Sequence, residues 1–94
     1  MNRELLQEIV HVREKARAAL EDPGHSGYLP VLIEYLELME TILHQGTSHP
    51  RYPQEERENL VRGFGRIALE DYAFSESKLC LEMLAVIERF AEGG

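Results

Sequence analysis

The chain has few of the features that assign a protein to a known chemistry. Its only cysteine is Cys80, so neither an internal disulfide nor a thiolate metal cage is possible, and such usage is typical of a reducing compartment. No apolar run approaches the roughly 20 residues of a membrane span. The first residues, Met1 to Glu4, lack the basic-then-apolar profile of a secretory signal. We therefore expect a cytoplasmic protein with no membrane partner.

Basic residues are also scarce. Seventeen acidic residues face ten Lys and Arg residues, which gives a net charge of -7. Such a balance disfavours the phosphate backbone of a nucleic acid as the main ligand and favours a basic protein surface or a cation. We expect a protein partner, preferably a basic one, and no nucleic acid.

Tryptophan is absent and aromatic residues make up only 7% of the chain, whereas apolar residues make up 44%. A core must therefore consist largely of aliphatic side chains, which suits packed helices. The length of 94 residues allows one domain, near the low end of what a single core supports without disulfides or metal.

Four segments repeat apolar residues every three or four positions, which predicts four amphipathic helices. Clusters of Pro, Gly, Asp and Ser separate these segments. Because the connections are short, neighbouring helices are expected to run antiparallel. The sequence predicts an all-α fold, an antiparallel up-down four-helix bundle in a single small domain. The predicted helices cover residues 2–21, 29–45, 53–71 and 76–92.

Two local features carry further expectations. Ser75 or Ser77 is the expected N-cap of the last helix, and the aromatic residues Tyr72 and Phe74 of the preceding connection are expected to cover one end of the core. In the third helix, Gly63 and Gly65 together cost about 2 kcal/mol relative to alanine. Close helix contact is the expected reason for both glycines.

The second predicted helix has a uniformly acidic outer strip. Glu34, Glu37 and Glu40 lie on it, and no Lys or Arg occurs between residues 28 and 45. Arg13 falls within the apolar stripe of the first helix, where it serves either an interhelical ion pair or a polar anchor for a partner. The loop between the second and third predicted helices is stiffened by two prolines and adds His49, Arg51 and Tyr52, whose residue types suit recognition. The predicted partner-binding residues are Glu34, Glu37, Glu40, His49, Arg51, Tyr52 and Arg13.

A metal-binding bundle is the alternative. Glu8 and His11 form one Glu-x-x-His step, whereas the carboxylate bundles that hold two metal ions use two such steps and two further glutamates. The strip of Glu37, Glu40 and His44 offers a second weak set of ligands. Both patterns are also typical of solvated helix faces, so we expect no resident metal and no cofactor.

Catalytic motifs are missing from the sequence. Cys80 falls on the inward face of its helix, and no serine lies in a nucleophile elbow. An enzyme or small-molecule binder with a pocket between helices, near Tyr35 and Arg13, is the weakest of the three hypotheses. We expect a non-catalytic protein that acts through protein–protein interaction, as a regulator, an adaptor or an inhibitor of the immunity or antitoxin type. Leu69 and Leu81 lie off the apolar stripes, which favours a homodimer.

Overall fold

The structure, a computed structural model, describes residues 3–45 and 54–92, and within these ranges the chain forms helices and no strand. The all-α fold class is thus confirmed. In chain order the helices are α1 (Arg3–Ala19), α2 (Leu29–Gln45), α3 (Gln54–Glu70), α4 (Tyr72–Ser75) and α5 (Lys78–Ala91).

The four long helices surround one apolar core. Helix α1 packs against α2 and α5, and α3 packs against α5 and, less extensively, against α2. The short α4 lies beside α3 and α5. This arrangement is consistent with a four-helix bundle, and the up-down order of all four helices stays a prediction.

The core is built as the composition requires. All buried side chains in the described ranges are apolar, and the fully buried ones include Phe64, Phe90, Met39 and Met83. Each long helix contributes a row spaced by three or four residues, such as Leu5, Ile9, Val12 and Ala16 on α1. In the described part of the chain, no helix has both the length and the apolar character needed to cross a membrane.

Helix ends follow from local chemistry. Helix α1 stops at Ala19, two residues before the predicted end, because the amides of residues 20–22 bond to carbonyls three positions back and tighten the chain into a turn before Pro23. Helix α2 begins at Leu29 with Pro30 in its first turn, where a missing N–H leaves no acceptor unfilled.

The segment between α3 and α5 is more ordered than a simple connection. The carboxylate of Asp71 accepts a hydrogen bond from the amide of Phe74 at 3.1 Å and caps the one-turn helix α4. This bond is the first cause of a pKa of Asp71 below its usual value. Of the two candidate serines, Ser77 caps α5 by accepting from the amide of Cys80. Phe74 packs against the core, but Tyr72 is 70% exposed, so its predicted role in covering the core is wrong.

Candidate protein-interaction surface

Two ion pairs close the edge between α1 and α2. Arg13 donates to the Glu40 carboxylate through Nε and also through Nη2, the latter at 3.3 Å. One turn further along α1, Arg17 donates to Glu37. The first pair is largely shielded, with 20% and 14% of its two side chains exposed, whereas the second is open to solvent. Three of the predicted partner-binding residues are thus brought together within the chain.

These pairs change the acidic strip predicted on α2. With Glu37 and Glu40 matched by arginines of α1, only Glu34 remains exposed and without an ion pair within the described ranges. His44 is exposed at the end of the same helix. The other predicted recognition residues, His49, Arg51 and Tyr52, lie outside the described residues.

The alternative metal ligands are dispersed. Glu8 accepts a hydrogen bond from Arg89 of α5, and His11 is exposed one turn later on α1. Glu37 and Glu40 belong to the ion pairs with α1. In the described ranges, no group of three or more His, Cys, Asp and Glu side chains could hold a metal ion.

A groove of about 450 Å³ lies between α1 and α5. Charged side chains span it, since Lys15 donates to Glu82 at 2.9 Å and Arg89 donates to Glu8. The hydrogen bond from Lys15 is the first cause of a pKa of Glu82 below its usual value. Internal ion pairs therefore bridge this edge beside the groove, as ion pairs bridge the α1/α2 edge.

A partly buried arginine of α3 binds the C-terminal end of α5. Nε of Arg57 donates to the Phe90 carbonyl at 2.9 Å, and the guanidinium lies 4.5 Å from the centre of the Phe90 ring. A cation at this point meets the negative end of α5. Burial lowers the pKa of Arg57, and its buried Nη2 has no acceptor in the described ranges.

Apolar side chains remain exposed along the edge between α2 and α3. Tyr28, Val31 and Leu38 are 41%, 39% and 40% exposed. They share one side of α2 with the half-buried Tyr35, since their spacing is three or four residues. A groove of about 270 Å³ opens at Tyr35 and Leu38.

Residues of α3 form the other wall of this edge. The groove at Leu38 is also lined by Glu56, Asn59 and Leu60, and Arg62 donates to the Asn59 side chain at 3.1 Å. At the far end, the Tyr28 hydroxyl donates to Glu70 at 3.4 Å. We call this surface the α2/α3 face. It comprises the apolar residues Tyr28, Val31, Tyr35, Leu38 and Leu60, and the exposed polar residues Glu34, Glu56, Asn59, Arg62, Arg66 and Glu70.

Gly63 lets the two helices meet beneath the α2/α3 face. A Cβ atom at this position would lie 2.8 Å from the hydroxyl oxygen of Tyr35, whose ring meets Phe64 edge-on at a centroid distance of 6.1 Å. The predicted close contact is therefore confirmed for Gly63. It is wrong for Gly65, where a Cβ atom would find no described atom within 4 Å beyond its chain neighbours and its own helix backbone.

Comparison of the chain with protein-family models, with curated proteins and with solved structures finds no match. The geometry of the described surfaces therefore has to carry the functional inference. Sequence reasoning missed the α3 half of the α2/α3 face. A signal was present, because Asn59, Arg62, Arg66 and Glu70 recur at helical spacing outside the apolar stripe.

Proposed function

We propose that this protein is a non-catalytic interaction protein, a regulator, adaptor or inhibitor that binds a protein partner through the α2/α3 face. The observation that supports this proposal is the row of Tyr28, Val31 and Leu38, each about two-fifths exposed, with a groove at the Leu38 end of the row. Contiguous exposed apolar side chains rimmed by polar ones are typical of protein-binding surfaces.

The charges around the row define the partner's chemistry. Glu34 borders the row on α2, and Arg62 and Arg66 border it on α3. A partner that fits this surface presents apolar side chains at its centre and charges of both signs at its rim. Because rim charges mainly set orientation and encounter rate, the apolar centre should supply most of the affinity.

Two of the described nucleophilic side chains give no support to a catalytic role. The Cys80 thiol is buried, and burial raises its pKa, so the reactive thiolate is scarce at neutral pH. Ser77 is engaged as a helix cap. We propose a cytoplasmic location, where a lone cysteine stays reduced.

A capture experiment with three immobilised baits tests the proposal. The baits are the wild-type chain, Leu38→Glu, and Leu81→Glu as a matched control, since Leu81 is a leucine of α5 that is 58% exposed away from the α2/α3 face. Both substitutions fall at exposed positions, and circular dichroism checks that both variants fold. Proteins from the expressing cells should be retained by wild type and by Leu81→Glu.

Leu38→Glu should weaken binding of the same proteins about tenfold or more, because a carboxylate would replace the centre of the apolar row. Added free wild-type chain should compete with the immobilised bait. If all three baits retain the same proteins equally, the α2/α3 face is not the binding surface and the proposal fails.

A further inference from the structure

The contacts along the α2/α3 face show which residues of α2 and α3 lie at the same level, meaning the same height along the helix axes. Tyr28 meets Glu70 at one end, Tyr35 meets Gly63 in the middle, and Leu38 lines a groove with Asn59 at the other end. Residue numbers on α3 fall as those on α2 rise, so the two helices run in opposite directions along this face. Interpolation between these contacts places Glu34 level with residue 64, between Arg62 and Arg66.

The two borders of the face carry opposite charges at that level. On the α2 border Glu34 is exposed, and α2 contains no Lys or Arg. On the α3 border Arg62 and Arg66 lie one turn apart and are both exposed. The apolar row lies between these borders. Within the described ranges, neither Glu34 nor Arg66 forms an ion pair.

Such a face is complementary to itself. Consider a two-fold axis that runs parallel to the helices and lies in the plane of the interface. Rotation about this axis leaves every residue at its own level along the helices but places the α2 border of one copy on the α3 border of the other, so that α2 of one copy lies on α3 of its partner. The geometry points to a second copy of this chain as the occupant, with Glu34 of each copy opposite Arg62 and Arg66 of its partner and with Val31 and Leu38 of each copy packed on α3 of its partner. This inference rests on the proposed function, because it names the partner of the same face.

The ends of the face are compatible with this pairing. The acidic residues Glu56 and Glu70 lie at the two ends of the α3 half of the face, beside Leu38 and Tyr28 of their own chain, and the exchange keeps them at the levels of Thr41 and Tyr28, which carry no charge.

The size of the face predicts a weak dimer. Two helices of 17 residues are about 25 Å long and pack about 8–10 Å apart, so they present roughly 500 Å². Stable complexes typically bury about 800 Å² per partner. A net charge of -7 on each copy adds long-range repulsion. We therefore expect reversible dimers with a dissociation constant of about 10–100 µM.

Sedimentation equilibrium of the purified chain from about 1 to 500 µM, a range that spans this constant, should show a monomer–dimer equilibrium. Glu34→Arg should raise the dissociation constant about tenfold or more, because each new arginine would face two others. The Arg62→Glu, Arg66→Glu variant should weaken the dimer similarly, since three carboxylates would then meet. Circular dichroism checks the fold of each variant.

Exchanging the charges between the α2 and α3 borders provides the decisive experiment. An equimolar mixture of the Glu34→Arg chain and the Arg62→Glu, Arg66→Glu chain should form mixed dimers at least as tightly as wild type, because both borders are then complementary. A single chain with all three substitutions should also regain wild-type self-association. A merely destabilised variant would show neither recovery. Leu69→Glu and Leu81→Glu, at exposed leucines outside the face, are the matched controls and should leave the equilibrium unchanged.

Several results would overturn the inference. These are a wild-type chain that stays monomeric throughout the range, a dimer broken by Leu69→Glu or Leu81→Glu, and charge variants that weaken the dimer without recovery in the mixture. A monomeric chain that binds a basic amphipathic peptide, with binding lost in Leu38→Glu, would assign the face to a basic protein instead. In that case the proposed function would stand while the second copy would be excluded.

Discussion

Helix α2 meets α1 along one edge and α3 along the other, and the two edges are closed by different chemistry. Along α1, Glu40 and Glu37 are matched by Arg13 and Arg17. Along α3, described contacts include a tyrosine packed on a glycine and one tyrosine–glutamate hydrogen bond, while apolar side chains stay exposed. One edge uses its polar groups within the molecule, and the other leaves its apolar groups accessible.

This difference distinguishes residues that stabilise the monomer from residues that remain accessible to a partner. Charged residues that first suggested a recognition strip are largely occupied in holding α1 to α2, so they are poor candidates for contacts outside the chain. The exposed residues beside α3 contribute less to the monomer because much of their surface remains in water. An apolar surface whose alteration changes the free energy of unfolding little is the better candidate for a partner-binding surface.

The largest contrast should separate two leucines of α2 that differ in burial. Leu36 is fully buried and Leu38 is 40% exposed. Leu36→Ala should lower the free energy of unfolding by about 2–5 kcal/mol, because it removes apolar contacts and leaves a cavity. Leu38→Ala should cost about 1 kcal/mol or less. Urea unfolding at low micromolar concentration measures both, and equal losses would show that the α2/α3 edge is part of the core.

The second contrast concerns the two ion pairs of the closed edge. Arg13→Ala should cost about 1–3 kcal/mol, since it strands the shielded Glu40 carboxylate. Arg17→Ala should cost about 0–1 kcal/mol, because both members of its pair are solvated and their attraction is screened. Thermal and urea unfolding measure these losses.

Double-mutant cycles with Glu40→Ala and Glu37→Ala separate each pairwise coupling from other effects of truncation. The coupling in the Arg13 cycle should exceed that in the Arg17 cycle and should persist in about 0.5 M salt, where exposed charges are screened. A coupling near zero for Arg13 would mean that packing of the arginine stem, rather than the ion pair, stabilises this edge.

Much of the helical architecture was predictable because it depends on local chemistry. Apolar periodicity identifies Leu5 and Ile9 as core residues of α1, and a proline in the first turn marks the start of α2. The one-turn helix α4 was missed, because a single turn carries no periodicity. Its signal was Asp71, which caps the amide of Phe74.

The contacts between helices were less predictable, because a helical wheel gives a residue's direction and not its neighbour. Glu37 and Glu40 appeared as an acidic strip because the wheel does not show that Arg17 and Arg13 lie across from them. The same limit applies to glycine, since spacing alone does not distinguish Gly63, which meets a tyrosine, from Gly65, which meets no described side chain.

The smallest expected changes in stability come from alanine substitutions at those two glycines. They test whether the contact of Tyr35 with Gly63 fixes α2 against α3. Gly65→Ala should raise the free energy of unfolding by about 1 kcal/mol, because alanine restricts the unfolded chain and the site has room for a methyl group. Gly63→Ala should gain less or lose stability, since its methyl group must displace the Tyr35 hydroxyl. In a Tyr35→Phe background that obstacle is gone, and Gly63→Ala should then stabilise about as much as Gly65→Ala does. If both alanines already stabilise equally beside an intact Tyr35, the tyrosine yields without cost and the helices are not fixed to each other at Gly63.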